Sequence, residues 1–293
     1  MLMLIEEIKL LFCYIIDSMK TKNRKKLLAI ILVICLILIG ILGILYFKPE
    51  EKSKDEKEEI KEVIEVEKVE ENYSDEYYLN FYKSQKEINE DYVGQIFFKS
   101  GLITEPFVQG LSNSTYLRTD WISGKYDVEG SNFMDYENTL DDQNIVIYGH
   151  YVFESLDPTL SHKFTPLEKL LTSDNYEDNK TIYLLLEDEI REYEIASVTY
   201  IELVKEGDYY YTNEDEQYYL TNFSKDYFDA YHYRIKQLEQ YKTGLDFGYG
   251  DKLLTLQTCT RSREDLREIV IAVLMNTYKL DGKCTLPEYT LSK

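Results

Sequence analysis

The sequence predicts a mainly β protein: an eight-stranded, closed or nearly closed barrel with a helical segment before its first strand, a helical insert before the strand that ends in Cys259, and one transmembrane helix ahead of it all. Three observations carry that prediction. From residue 92 onward, short runs rich in β-branched and aromatic residues are separated by turn residues, without the regular strand–helix alternation of a parallel sheet. Stretches 76–89 and 224–241 mix apolar and charged residues in an amphipathic helical pattern. The run 27–47 holds no charged residue, with Gly40 and Gly43 its only weak breakers, and it matches the roughly 20 residues a helix needs to cross the hydrocarbon layer.

Taken in chain order, residues 1–26 form a cytoplasmic N-terminal segment. Lys20, Lys22, Arg24, Lys25 and Lys26 precede the apolar run, whereas Glu50, Glu51 and a mostly acidic stretch follow it, so the positive-inside rule leaves the N-terminus in the cytoplasm. Met19 opens the more conventional anchor sequence. A cleaved signal peptide is the competing reading of 27–47, but the run is longer than a typical signal core and no small-residue cleavage site follows it. Residues 48–72 are charge-dense and serve as a stalk, and 73–293 form an extracellular domain.

Within that domain the β-rich runs are 93–98, 103–108, 131–135, 145–148, 181–186, 192–203, 253–259 and 267–274. Residues 165–172 read as a helix opened by Pro166, and 224–241 as a helix capped by Ser224 and stopped by Gly244. The formal charge of −21 comes from 54 acidic against 33 basic side chains, and the part beyond Phe47 is more acidic still. Nucleic acid and other anionic polymers are therefore excluded as partners, since both would be repelled. The same charge serves solubility.

Of the four cysteines, Cys13 and Cys35 fall on the cytoplasmic side or in the membrane, which leaves Cys259 and Cys284 in an oxidising compartment. Cys284 reads as a packed or tail thiol. Cys259 ends the run Leu253-Leu254-Thr255-Leu256-Gln257-Thr258-Cys259, a thiol at a strand terminus. An ordinary thiol is mostly protonated at neutral pH and needs an activating partner. The chain has three histidines: His162 in a polar loop, His232 in the middle of a predicted helix, and His150, which alone ends a β-rich run through Tyr148-Gly149-His150. Arg261, Arg263 and Arg267 are candidates for the third member, and Arg267 is favoured because it opens the last apolar strand, expected beside the Cys259 strand in an antiparallel pair. Thiol, imidazole and guanidinium at strand ends are the parts of an acyl-transfer site.

Residue order separates this set from other cysteine enzymes. No histidine follows Cys259, which excludes a papain-like arrangement, and the spacing from His150 to Cys259 far exceeds the roughly 50 residues of caspases, whose signature is missing too. There is no C-x-x-C or H-E-x-x-H for a metal, no G-x-S-x-G elbow and no phosphate-cradling glycine loop, so no cofactor or metal is implied. Taken singly, a cysteine at a strand end is usually a small buried hydrophobe and an arginine there a solvated charge. The combination carries the argument.

Thr255-Leu256-Gln257-Thr258-Cys259, with Arg267 downstream and Gly149-His150 on an earlier strand, resembles the signature of the sortases, membrane-anchored cysteine transpeptidases of Gram-positive cell surfaces. The resemblance spans about residues 73–274. The helical segment before the first strand, the stretches 92–96 and 106–110, and the long insert before the cysteine strand are most like class B. Tyr151 departs from the family, which commonly has Asn after Gly-His. The resemblance implies cleavage of a C-terminal sorting signal after Thr and transfer of the thioacyl group to an amine of a peptidoglycan cross-bridge, a lipid-linked precursor or a pilin lysine. It also implies that Thr258 faces substrate and that Leu117 lines the pocket, although core packing is an equal reading of Leu117. Two other functions stay open: a membrane-tethered barrel that only binds or adheres, and a cysteine peptidase that only hydrolyses.

Overall fold

The computed structural model describes residues 74–152, 163–207, 209–260, 263 and 265–282, all within the compact unit Glu70–Lys293. The expected cytoplasmic segment, the span 27–47 and the stalk lie outside the described residues. Among the described residues no helix is long and apolar enough to cross a membrane.

The described chain opens on helix α1, Asp75–Ile88. Ser74 accepts a hydrogen bond from the Tyr77 amide (3.3 Å), and Asp75 and Glu76 in the first turn face the positive end of the helix dipole. Tyr78 and Tyr82, four residues apart and so on one face, are buried against the barrel wall.

Eight strands then close a barrel in the order β1 (Tyr92–Phe98), β2 (Thr104–Val108), β3 (Phe133–Met134), β4 (Asn144–Tyr148), β9 (Leu253–Cys259), β10 (Leu266–Lys279), β6 (Glu189–Glu202), β5 (Thr181–Leu185). Side chains alternate across the wall as the strand period requires. Ile96 and Phe98 join the interior cluster with Ile147, Leu254, Leu256 and Val270, while Phe97 packs outward with Tyr78. Strands β6 and β10 run further than the apolar pattern, because pairing continues from Leu274↔Tyr193 to Lys279↔Glu189 through a mostly polar stretch whose β10 side chains stay at least partly solvated. Conversely β3 is only two residues long: the Asp135 amide still reaches the Val146 carbonyl (2.9 Å), but the Asp135 side chain accepts the Glu137 amide at 2.9 Å and the chain turns there.

Residues 165–172 differ from the predicted helix in type. Thr165–Leu171 is a 3-10 helix, and the three-residue spacing of Phe164, Leu167 and Leu170, all fully buried in the interior cluster, suits three residues per turn. A hairpin of β7 (Val204–Glu206) and β8 (Tyr209–Tyr211) and a short helix α2 (Tyr176–Asn179) were not foreseen. The insert helix α3 is Lys225–Leu238, with Ser224 as its cap. It stops before the expected 241 because the Gln240 amide turns to the Val198 carbonyl (2.9 Å) and the Tyr241 hydroxyl to that of Leu170 (2.7 Å). Its buried face, Phe228, Tyr231 and Ile235, packs with Ile269, Ile271 and Val273 on the outer side of the barrel.

One side chain ties the insert to the sheet. Asn144, fully buried, donates through Nδ2 to the carbonyls of Tyr218 (3.0 Å) and Leu220 (2.9 Å) and accepts the Thr255 hydroxyl at 2.8 Å. At roughly 1 kcal/mol per bond, Asn144→Ala is expected to cost about 3 kcal/mol, read as a lower urea midpoint at unchanged m-value.

Candidate active site

Three neighbouring strands build the site. β4 and β9 run parallel, in register to Tyr148↔Gln257, so their C-terminal ends coincide. β10 runs antiparallel to β9, which brings its first residues to the same end, and Arg267 stands directly opposite Cys259. The Gly149 amide adds a further bond to the Gln257 carbonyl (3.0 Å) before the chain leaves the sheet at His150. Thus three residues distant in sequence meet at one end of the barrel.

Strand period fixes which way they face. Leu254 and Leu256 belong to the interior cluster, whereas Leu253, Ile269 and Ile271 pack outside. Cys259 and Arg267 share the parity of the outer set and therefore project from the outer face. Cys259 is a partly exposed free thiol. It lines a cavity of about 420 Å³ together with Arg118, Val128, Glu129, His150, Tyr151 and Val152. Arg267 flanks Cys259 without lining that cavity, and its Nη1 donates to the Leu266 carbonyl (3.1 Å). Arg261, Cys284 and His162 lie outside the described residues, and Arg263 is taken up by Asp265 and Glu202.

The imidazole is held from a different part of the chain. His150 Nε2 lies 2.7 Å from the Leu117 carbonyl oxygen. A carbonyl only accepts, so Nε2 carries the hydrogen and Nδ1 is the ring atom left to exchange a proton. Burial pulls the His150 pKa below its ordinary value, partly offset by the Leu117 carbonyl and reinforced by Arg118 and Lys163. Gly149 is required by space: a Cβ there would come within 2.5 Å of the Phe164 ring and 2.6 Å of Asn132 Oδ1. Gly130 has a positive φ of 54° and seats against the Leu117 carbonyl, which a Cβ would approach to 2.5 Å.

Other predicted and unpredicted residues complete the picture. Leu117 is 40% exposed rather than packed in a core, and it meets the site through its backbone. Thr258 is fully enclosed, on the inward parity, so its hydroxyl is not presented to the outer face. Tyr218, from the insert, is nearly buried and close enough to feel both Arg267 and Cys259; burial above all pushes its pKa up. Tyr148 donates to Asp135 Oδ2 (2.7 Å), which also takes Asn113 Nδ2 (2.8 Å), and this fastens the end of β4. Sequence reasoning missed Arg118, Val128, Glu129 and Tyr218. The first three sit on the connection between β2 and β3, whose length without regular structure is itself a mark of a binding loop.

Comparison with known proteins agrees with the geometry. No protein-family model matches the chain. Sortase B of Staphylococcus aureus (strain NCTC 8325 / PS 47) is 25% identical over 195 residues, 66% of this chain and 72% of that protein. Sortase B of Listeria monocytogenes serovar 1/2a is 28% identical over 190 residues, 61% and 67% of the two chains. Among solved structures, sortase B of Clostridium perfringens superposes with a TM-score of 0.55 at 29% identity, covering 66% of this chain and 99% of that one. A substrate complex of S. aureus sortase B gives 0.56 at 24%, covering 67% and 84%, a likeness of fold. The chain is a sortase-type cysteine transpeptidase. Within that family it is class B-like.

Gly149→Ala is expected to overpack the base of His150 and cost about 1–3 kcal/mol, visible as a lower thermal midpoint.

Proposed function

We propose that Cys259, His150 and Arg267 are the catalytic residues and that the domain joins surface proteins carrying a C-terminal sorting signal to a cell-wall amine. The observation that carries this reading is the register pair Cys259↔Arg267 beside a cavity that Cys259 shares with His150. The Cys259 thiolate attacks the carbonyl carbon after the Thr of the signal, and the oxygen that becomes negative is met by the Arg267 guanidinium. The C–N bond breaks as His150 gives its proton to the leaving amine, which leaves a thioester. An incoming amine attacks that thioester, yields a proton to His150 and expels the thiolate, so that a new amide replaces the old. The acceptor is a peptidoglycan cross-bridge, a lipid-linked precursor or a pilin lysine.

Topology fits the task. The apolar run 27–47 is a single-pass anchor with the N-terminus in the cytoplasm, and the stalk 48–72 sets the domain off from the outer face of a Gram-positive membrane. The solved S. aureus sortase B–substrate complex, which shares this fold, supports a sorting-signal substrate for this domain.

Incubating the purified full-length chain with a sorting-signal peptide library and an amine acceptor should give amide-joined products by mass spectrometry. Hydrolysis alone would point to a peptidase, and partner binding that survives alkylation of Cys259 to an adhesion module. Cys259→Ala should form no thioester. His150→Ala and Arg267→Ala should each lower kcat/KM by about 10²–10³ or more, with Arg118→Ala, which keeps the opposed pair, losing less. Because burial depresses the His150 pKa, the acidic limb of the kcat/KM profile should lie below the ordinary histidine value of about 6.5. A limb above that value would contradict the buried neutral imidazole.

A further inference from the structure

Immediately behind the Cys259–Arg267 pair, on the inward face of the same two strands, stand Thr258 and Glu268, which are register partners in the ladder. Both are enclosed, at 0% and 1% exposure. Adjacent partners on one face bring their Cβ atoms to roughly 5 Å, yet among the described residues neither Thr258 Oγ1 nor Glu268 Oε1 has a hydrogen-bond partner. A buried, unsatisfied acid costs stability and calls for an explanation. The adopted mechanism gives it none.

Among the described residues, burial and one nearby carboxylate act on Glu268, and both disfavour its charge. Tyr200, its register partner on β6, and Tyr241, from the segment after α3, are neutral phenols near it, whose pKa values are raised first by burial and further by neighbours that include Glu268. From the 3-10 helix comes Glu168, another carboxylate, which also accepts the hydroxyl of Tyr151 from the cavity wall. On its own strand Arg267 points to the opposite face. Burial, with Glu168 adding repulsion, lifts the Glu268 pKa to about 8.

We propose that Glu268 is a positioning residue for the Cys259–Arg267 pair and that it serves as a neutral acid: while protonated it keeps the two strand ends in register, and on losing its proton to solvent it draws water into the barrel mouth and displaces the pair. The role assigned to the pair rests on the transpeptidase reading. The role of Glu268 in holding the strand ends is separable from it.

The sign follows from linkage. Between the ordinary carboxyl value of 4.5 and about 8, the folded chain keeps a proton that the unfolded chain has released, so stability falls as pH rises through that window and levels off above it. The test compares the full-length chain with Glu268→Gln from about pH 5 to about pH 9. Denaturant unfolding should show the wild type losing more stability than the variant up to about pH 8, with parallel curves beyond. The rate of Cys259 alkylation by iodoacetamide, followed by peptide mass spectrometry, rises in both proteins as the thiol ionises; the ratio of the wild-type rate to the variant rate, in which that common rise cancels, should change across about pH 8, and the variant should keep several-fold more joining activity on the alkaline side. Superimposable pH dependences would overturn the proposal. Should the variant not fold, carboxyl ¹³C titration of the wild type decides: a midpoint near 8 supports it and one near 4.5 overturns it. If the wild type joins no peptide to any amine, the transpeptidase reading fails while the unfolding and carboxyl titrations still decide on Glu268.

Discussion

β9 lies between a parallel neighbour and an antiparallel one, and the meeting of residues 150, 259 and 267 at one end of the barrel follows from that arrangement. A parallel partner delivers its C-terminal end, and an antiparallel partner delivers its N-terminal end, to the place where β9 finishes. Histidine after β4, cysteine on β9 and arginine on β10 are thereby gathered by backbone hydrogen bonds alone. Because side chains alternate along each strand, the same ladder sends Cys259 and Arg267 outward and Thr258 and Glu268 inward. A slip of one residue in either pairing would exchange those two sets.

Around that ladder, two segments that are not part of the barrel shape the site. The connection between β2 and β3 supplies Arg118, Val128 and Glu129 to the cavity and the Leu117 carbonyl to His150. The insert between β8 and β9 supplies Tyr218, and Asn144 holds it to the sheet through two of its carbonyls. The barrel provides register, and these two segments provide walls.

Much of this was legible in the sequence because the features concerned are periodic or terminal. Short β-rich runs between turn residues announced the barrel strands, a Ser cap announced α3, and a thiol at the end of an apolar run announced the centre of the candidate site. What escaped has physical reasons. The far ends of β6 and β10 carry charged residues whose pairing is a backbone property, which hydropathy does not register. The 3-10 helix shares its apolar signals with an α-helix until the spacing of Phe164, Leu167 and Leu170 is set against the barrel end it plugs. The family resemblance implies that Thr258 faces substrate, but as the residue next to Cys259 on a strand it lies on the opposite, enclosed face. Glu268 and Tyr218 could not be singled out, since burial of a polar side chain depends on which strands lie beside it.

The bond from His150 Nε2 to the Leu117 carbonyl joins the imidazole to a loop rather than to another strand. The proton affinity of His150 is therefore referenced to a peptide plane whose orientation the hydrogen-bond ladder does not fix. Tilting that plane away removes an acceptor that favours the imidazolium, and the ring becomes a weaker base without any of the three strands moving. Basicity of the histidine is thus a readout of loop shape.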